Sequence, residues 1–282
     1  IGPIFQISFY PHKLVKSHFL NQKEIPVLGY HRINNVDHLP LTLSTEEFDA
    51  QMQYLQTNGY SAITLDELVS YIRDKKDLPY KSVVITFDDG YEDNYVNAYP
   101  ILKKYDLDAT VFLISDYINR PNYLTWNEIY EMQKNHIYFE GHTFNHPHLD
   151  KLTAGPALKQ QLSDSKTDLE SHLGHKVEYL AYPYGDYNET VIAAAKSYGY
   201  KAAFTVHLGD DSAQDDLFTL NRVPIFQTYQ HTFLHFWLNI HFPYIMNIIQ
   251  KFSPDNTKSV ETICVLLVPC YSQRQTLLYF CD

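Results

Sequence analysis

Short apolar runs alternate with amphipathic helical patterns along most of this chain of 282 residues. The runs lie at 27–31, 82–87, 109–114, 136–140, 177–182 and 202–206, and helical stretches fall near 94–105, 126–134, 156–173 and 188–198. A further helix starts at about Thr45, carries Phe48, Met52 and Leu55 on one face, and closes at Gly59. Ser44-x-x-Glu47, Thr64-x-x-Glu67 and Thr125-x-x-Glu128 each read as a capping box, in which hydroxyl and carboxylate satisfy amides that a helix start leaves without partners. Repeated strand-helix units imply a parallel sheet with helices outside it. Such sheets present ligands at the carboxyl ends of their strands, in barrels as in open sheets. One α/β barrel accommodates a chain of this length.

Polar residues collect where the strands end. Ser82-Val83-Val84-Ile85 runs into Thr86-Phe87-Asp88-Asp89-Gly90. Neighbouring strand residues face opposite sides, so the two carboxylates have different partners: one can bind a metal while the other moves a proton. An isolated pair of this kind is more often a polar turn. A second cluster, Gly141-His142-Thr143-Phe144-Asn145-His146-Pro147-His148, also follows an apolar run. His142 and His146 stand four apart and can converge on one ion, and Pro147 biases His146 away from further helix. With Asp89 they form a facial set for Zn²⁺ or a similar divalent ion, with positions left for water and substrate. A third segment, Leu180-Ala181-Tyr182-Pro183-Tyr184-Gly185, is either an ordinary loop or a rigid turn. In the second case a backbone amide serves a developing oxyanion and the tyrosines wall a sugar.

Composition narrows the partners. With 22 basic and 33 acidic residues the formal charge is −11, which argues against nucleic acid and suits a neutral or cationic ligand. The 24 tyrosines suit a wet, stacking site. Cys264, Cys270 and Cys281 all fall in the last 19 residues, so no disulfide framework can be read. No apolar stretch reaches the roughly 18–20 residues of a spanning helix. The opening on Ile1 reads as a processed or trimmed form, and a removed signal peptide would place the protein outside the cytoplasm.

The strand ending in TFDDG, then HTFNH, then AYPYG, in this order, resemble the first three motifs of the polysaccharide deacetylases, carbohydrate esterase family 4, or NodB homology domain. Tyr30-His31-Arg32-Ile33 and the stretch from Phe48 through Thr64-Leu65-Asp66-Glu67-Leu68 are similar to bacterial exopolysaccharide de-N-acetylases of biofilm formation. The likeness covers roughly residues 25 to 230. It implies a distorted (β/α) barrel over 25–240, between an N-terminal extension (1–24) and a C-terminal tail (241–282). It also implies Asp88 as general base and Asp89, His142 and His146 as ligands of a divalent metal, zinc first, nickel or cobalt otherwise. Tyr182, Pro183, Tyr184 and Gly185 would form the substrate-binding turn. The implied activity is removal of N-acetyl groups from extracellular poly-β-1,6-N-acetyl-D-glucosamine by a secreted monomer, peripherally associated with the cell surface or membrane.

Two features depart from the family pattern. No arginine precedes the Pro-Tyr turn, so Asp88 is expected to be weakly activated. The late motif carrying a histidine general acid is not recognisable; His207, His231 and His235 are candidates, with His231 preferred because it follows the strand-like segment 220–225. Chitin, peptidoglycan and acetylated xylan are alternative substrates, since groove shape decides among them. A carbohydrate-binding surface module with a degenerate site is the reading from another class.

Overall fold

The longer apolar runs become strands buried on both faces, as helices packed over a parallel sheet require. The computed structural model describes residues 24–37, 39–207, 209, 211, 215–226 and 232–241. Its strands are β1 (Val27–Tyr30), β2 (Arg32–Ile33), β3 (Thr42–Leu43), β4 (Ser61–Ala62), β5 (Ser82–Phe87), β6 (Ala109–Leu113), β7 (Ile137–Gly141), β8 (Tyr179–Ala181), β9 (Ala202–Phe204) and β10 (Val223–Pro224). Its α-helices are α1 (Thr45–Thr57), α2 (Leu65–Asp74), α3 (Tyr99–Tyr105), α4 (Trp126–Gln133), α5 (Pro156–Lys159), α6 (Ser165–Leu173), α7 (Glu189–Ser197) and α8 (Thr232–His241). Apart from Glu24 and His241, the expected extension and tail lie outside the described residues.

The main sheet runs β10-β1-β5-β6-β7-β8-β9, and β4 pairs with the start of β5. Every pairing along that path is parallel. The two edges meet in one segment. Leu220 bridges to Phe204 in parallel, and three residues later β10 pairs with β1 through Leu28↔Val223 and Gly29↔Pro224. The sheet therefore curls round as the (β/α) barrel expected from the sequence.

Side chains alternate between two cores. Val27, Val84, Phe112, Tyr179, Ala181, Ala202 and Phe204 pack together inside the barrel with Leu65, Leu68 and Ile72 of α2. Leu28, Val83, Ile85, Val111, Leu113, Leu180 and Ala203 point outward against the other helices. Helix α2 plugs the amino end, where its Asp66 accepts a hydrogen bond from Tyr179 at 2.5 Å and approaches Lys201. The carboxyl end is left for polar residues.

Thr64 and Thr125 form complete capping boxes. At Ser44 only half of the box forms: the hydroxyl accepts from the Glu47 amide at 3.2 Å, while one Glu47 carboxylate oxygen is buried without a hydrogen-bond partner. The helical stretch at 156–173 is interrupted by a π turn at Gln160–Asp164, and the one at 94–105 opens with another at Asn94–Ala98. No helix among the described residues is long and apolar enough to cross a membrane.

Candidate active site and metal centre

The strand alternation that points Val84 into the barrel also directs Thr86 and Asp88 inward. Asp88 is 2% exposed, and its partner is Arg222, equally buried, from the segment that joins the two edges of the sheet. The Arg222 Nη1 and Nη2 each donate to one Asp88 oxygen at 2.6 Å, and Nε donates to the Thr205 carbonyl at 2.8 Å. The guanidinium lies over the Phe112 ring, 5.7 Å from its centroid. Burial alone would raise the Asp88 pKa; the Arg222 charge overrides it, with His142 and the Arg222 hydrogen bonds adding to the effect, and holds the group well below the usual carboxylate range. Asp88 is thus a carboxylate kept ionised and aimed by a bidentate clamp. The arginine thought missing is present, on the last strand segment rather than before the Pro-Tyr turn.

Asp89 leaves the strand with φ 74°, and Gly90 follows at φ 73°. The positive φ calls for glycine here, and a Cβ at Gly90 would stand 2.7 Å from Leu113 Cδ2 and displace that side-chain tip. His142 follows the end of β7, is 2% exposed, and its Nδ1 lies 2.8 Å from the Ala181 carbonyl. With Nδ1–H donating there, the Nε2 lone pair faces Asp89. His142 Nε2 and His146 Nε2 both stand 3.4 Å from Asp89 Oδ1, a buried atom with no hydrogen-bond partner.

These residues fit a divalent ion. Ligand atoms about 2.1 Å from one tetrahedral ion lie about 3.4 Å apart, which is the spacing found on both sides of Asp89 Oδ1. The Ala181 carbonyl behind His142 is the outer partner that metal-bound imidazoles need. The surrounding carboxylates give the site a negative potential that suits a cation. Burial lowers the His142 pKa, but Asp88 and Asp89 outweigh it and raise the group above its ordinary value. Burial and neighbouring His142 push His146 down to about 4, so its nitrogen stays free to coordinate at neutral pH.

Backbone strain gathers here. Asp89, Thr143, His146 and Tyr184 are four of the nine non-glycine residues with positive φ among those described. For β-branched Thr143, at φ 69°, such a conformation is a true outlier. Strain of this kind persists only where surrounding contacts over-determine it.

A histidine that sequence reasoning passed over completes the cluster. His31 directly follows β1, and its Nε2 lies 3.8 Å from Asp88 Oδ2. Burial depresses its pKa, against the pull of Asp88 and Asp89. His207 is exposed, with its ring 6.1 Å from that of Tyr187, and His235 is buried in the core-facing side of α8; neither joins the Asp88 cluster. His231 lies outside the described residues. Position after an apolar strand, the signal that singled out Asp88 and His142, applies equally to His31. Arg222 had a signal too: a lone cation inside an apolar strand needs a buried anion.

The substrate-turn residues divide. Tyr182 is fully buried, its hydroxyl donating to the Phe218 carbonyl at 3.1 Å, so its ring belongs to the core and walls no sugar. Pro183 and Gly185 are also buried. Only Tyr184 is exposed, its ring edge-on to His146 at 4.6 Å and stacked on His148 at 4.1 Å.

A family model described as polysaccharide deacetylase matches residues 75–203. The Bacillus subtilis protein YxkH is 36% identical over 203 residues, covering 72% of this chain and 71% of its own. The poly-beta-1,6-N-acetyl-D-glucosamine N-deacetylase of Staphylococcus epidermidis is 29% identical over 237 residues, covering 74% of this chain and 82% of the relative. Among solved structures, the Streptococcus pyogenes deacetylase PplD in complex with acetate superposes with a TM-score of 0.70 at 32% identity, over 73% of this chain and 93% of that one. Strand-end chemistry, barrel and relatives lead to one conclusion: the chain belongs to the polysaccharide deacetylase family.

Proposed function

We propose that this deacetylase hydrolyses N-acetyl groups of a poly-β-1,6-N-acetyl-D-glucosamine polymer, using a divalent metal, zinc by preference, held by Asp89, His142 and His146. The observation that carries the reading is the convergence of those three side chains beside an ionised Asp88. The linkage comes from the named staphylococcal relative. Because the substrate is an exopolysaccharide, the enzyme is placed outside the cytoplasm at the cell surface.

When bound, the ion would polarise the amide carbonyl and increase the acidity of a water. Asp88 takes the attacking water's proton; its clamp to Arg222 keeps it ionised and fixes its lone pairs. Arg222 also balances the Asp88 charge, which leaves the Asp89 charge for the ion. The rigid turn at Tyr184 offers its backbone amide to the developing oxyanion. His31, whose Nε2 lies 3.8 Å from Asp88 Oδ2, takes up the proton that Asp88 removed from the water and passes it to the departing nitrogen. The products are acetate and an amine that carries positive charge at neutral pH.

Acetate release from β-1,6-linked N-acetylglucosamine oligomers tests the reading. A chelator should abolish release and added zinc restore it, while chitin oligomers, peptidoglycan and acetylated xylan should be poorer substrates. Chelator-insensitive release would sink the metal role, and faster release from another polymer would sink the substrate assignment. His31→Ala should lose most of the rate and His207→Ala little; the reverse order would remove His31 as the acid.

A further inference from the structure

The loop at 143–148 carries His146 and two residues in left-handed backbone conformation, and its polar backbone atoms are tied down from three directions. The Thr143 and Phe144 carbonyls accept from the amides of Ser115 and Asp116 at 3.1 and 3.0 Å. The His146 amide donates to Thr143 Oγ1 at 3.1 Å. The third tie is one side chain from outside the loop. Gln161 Oε1 accepts from both the Phe144 and Asn145 amides, each at 3.2 Å, and its Nε2 donates to Asn145 Oδ1 at 2.9 Å.

Gln161 is 6% exposed and stands in a buried stripe with Leu158, Leu162, Ser165, Leu169 and Leu173. An amide so placed is expensive to bury unless its hydrogen-bonding groups are used, and among the described residues its side-chain bonds all go to the loop. It sits in the π turn at Gln160–Asp164. The carbonyls that such a turn loosens find side-chain donors: Ser165 Oγ bonds the Gln161 carbonyl at 2.6 Å and Tyr200 Oη the Leu162 carbonyl at 3.0 Å. Widened turns of this kind occur often at functional sites.

We propose that Gln161 is a positioning residue of the metal centre, holding the 143–148 loop in the shape that brings His146 to Asp89 and His142. The inference rests on the metal-centre reading and adds to it a residue that touches neither ion nor substrate.

Zinc affinity of the full metal-free chain, measured by competition with a chromogenic chelator, provides the test, with His146→Ala as control. Gln161→Leu extends the leucine stripe but leaves two loop amides without an acceptor. It should weaken zinc binding about 10–100-fold and speed hydrogen exchange at the 144 and 145 amides, while unfolding of the metal-free chain stays near that of wild type. Asn145→Ala, at an exposed position, removes one bond and should weaken binding about threefold; it decides the matter should Gln161→Leu fail to fold. Unchanged zinc affinity in the deciding variant, with His146→Ala impaired, overturns the role of Gln161 and leaves the metal centre standing. If His146→Ala binds zinc like wild type, the metal centre fails and the inference with it.

Discussion

The two sides of the site are built differently, although they begin at adjacent residues. Asp88 closes a regular strand, and its side chain meets Arg222, carried between the bridge at Leu220 and β10, in a bidentate ion pair with both members 2% exposed. Asp89 starts a loop, in left-handed conformation, and faces two histidines across a buried oxygen that has no hydrogen-bond partner. One side is electrically complete in the protein alone; the other is left short of positive charge. A buried ion pair contributes rigidity and aim more than net stability. A strained, under-satisfied carboxylate is suited to binding something. The contrast suits the first side to proton transfer and the second to holding a cation.

That division can be broken by experiment. Asp88→Asn keeps the shape and removes the base, so kcat should fall by about 10²–10⁴ while zinc affinity stays within a few-fold of wild type. Steady-state kinetics alongside the chelator competition would show it, and a parallel loss of zinc would mean that the two sides are not separable. Arg222→Met leaves Asp88 buried and uncompensated and should lower folding stability by about 3–5 kcal/mol, read from urea unfolding. A loss below about 1 kcal/mol would show that Asp88 finds another partner or water.

A smaller effect calibrates both sides. His235, buried in α8 and outside the two clusters, has its pKa pushed down to about 4 by burial. The folded state therefore resists binding a proton that the unfolded state accepts near 6.5. Its contribution is present above that pH and is lost as the pH falls from about 6.5 to about 4. The sum is at most about 3 kcal/mol. Unfolding of wild type and His235→Leu across this window should show a steeper acid loss in wild type; equal slopes would remove His235 as the cause.

Local patterns carried much of this protein. Apolar runs bounded by capped helices specified the parallel barrel, because a strand buried on both faces must read as a continuous apolar run. The same logic placed Asp88, Asp89, His142 and His146 at strand ends and brought out their common site. Tyr182 shows where local reading stops. Next to Pro183 it looks like part of a sugar wall, yet the barrel turns its ring into the core, and only Tyr184 faces outward. The half-formed box at Ser44 is a similar case: the spacing allows the reciprocal bond, but packing buries one Glu47 carboxylate oxygen instead.

Periodicity, capping and strand-end chemistry act over a few residues, so the sequence by itself determined the barrel, the candidate trio of Asp89, His142 and His146, and the family. Tertiary structure decided which distant groups meet. Arg222 reaches Asp88 across 134 positions because the sheet curls until its last segment lies beside its first strand. His31 comes to the same carboxylate because β1 is the neighbour of β5. Gln161 reaches the histidine loop from a widened helical turn. Hydrogen bonds and ion pairs of this kind depend on closure of the whole chain, which no window of sequence contains.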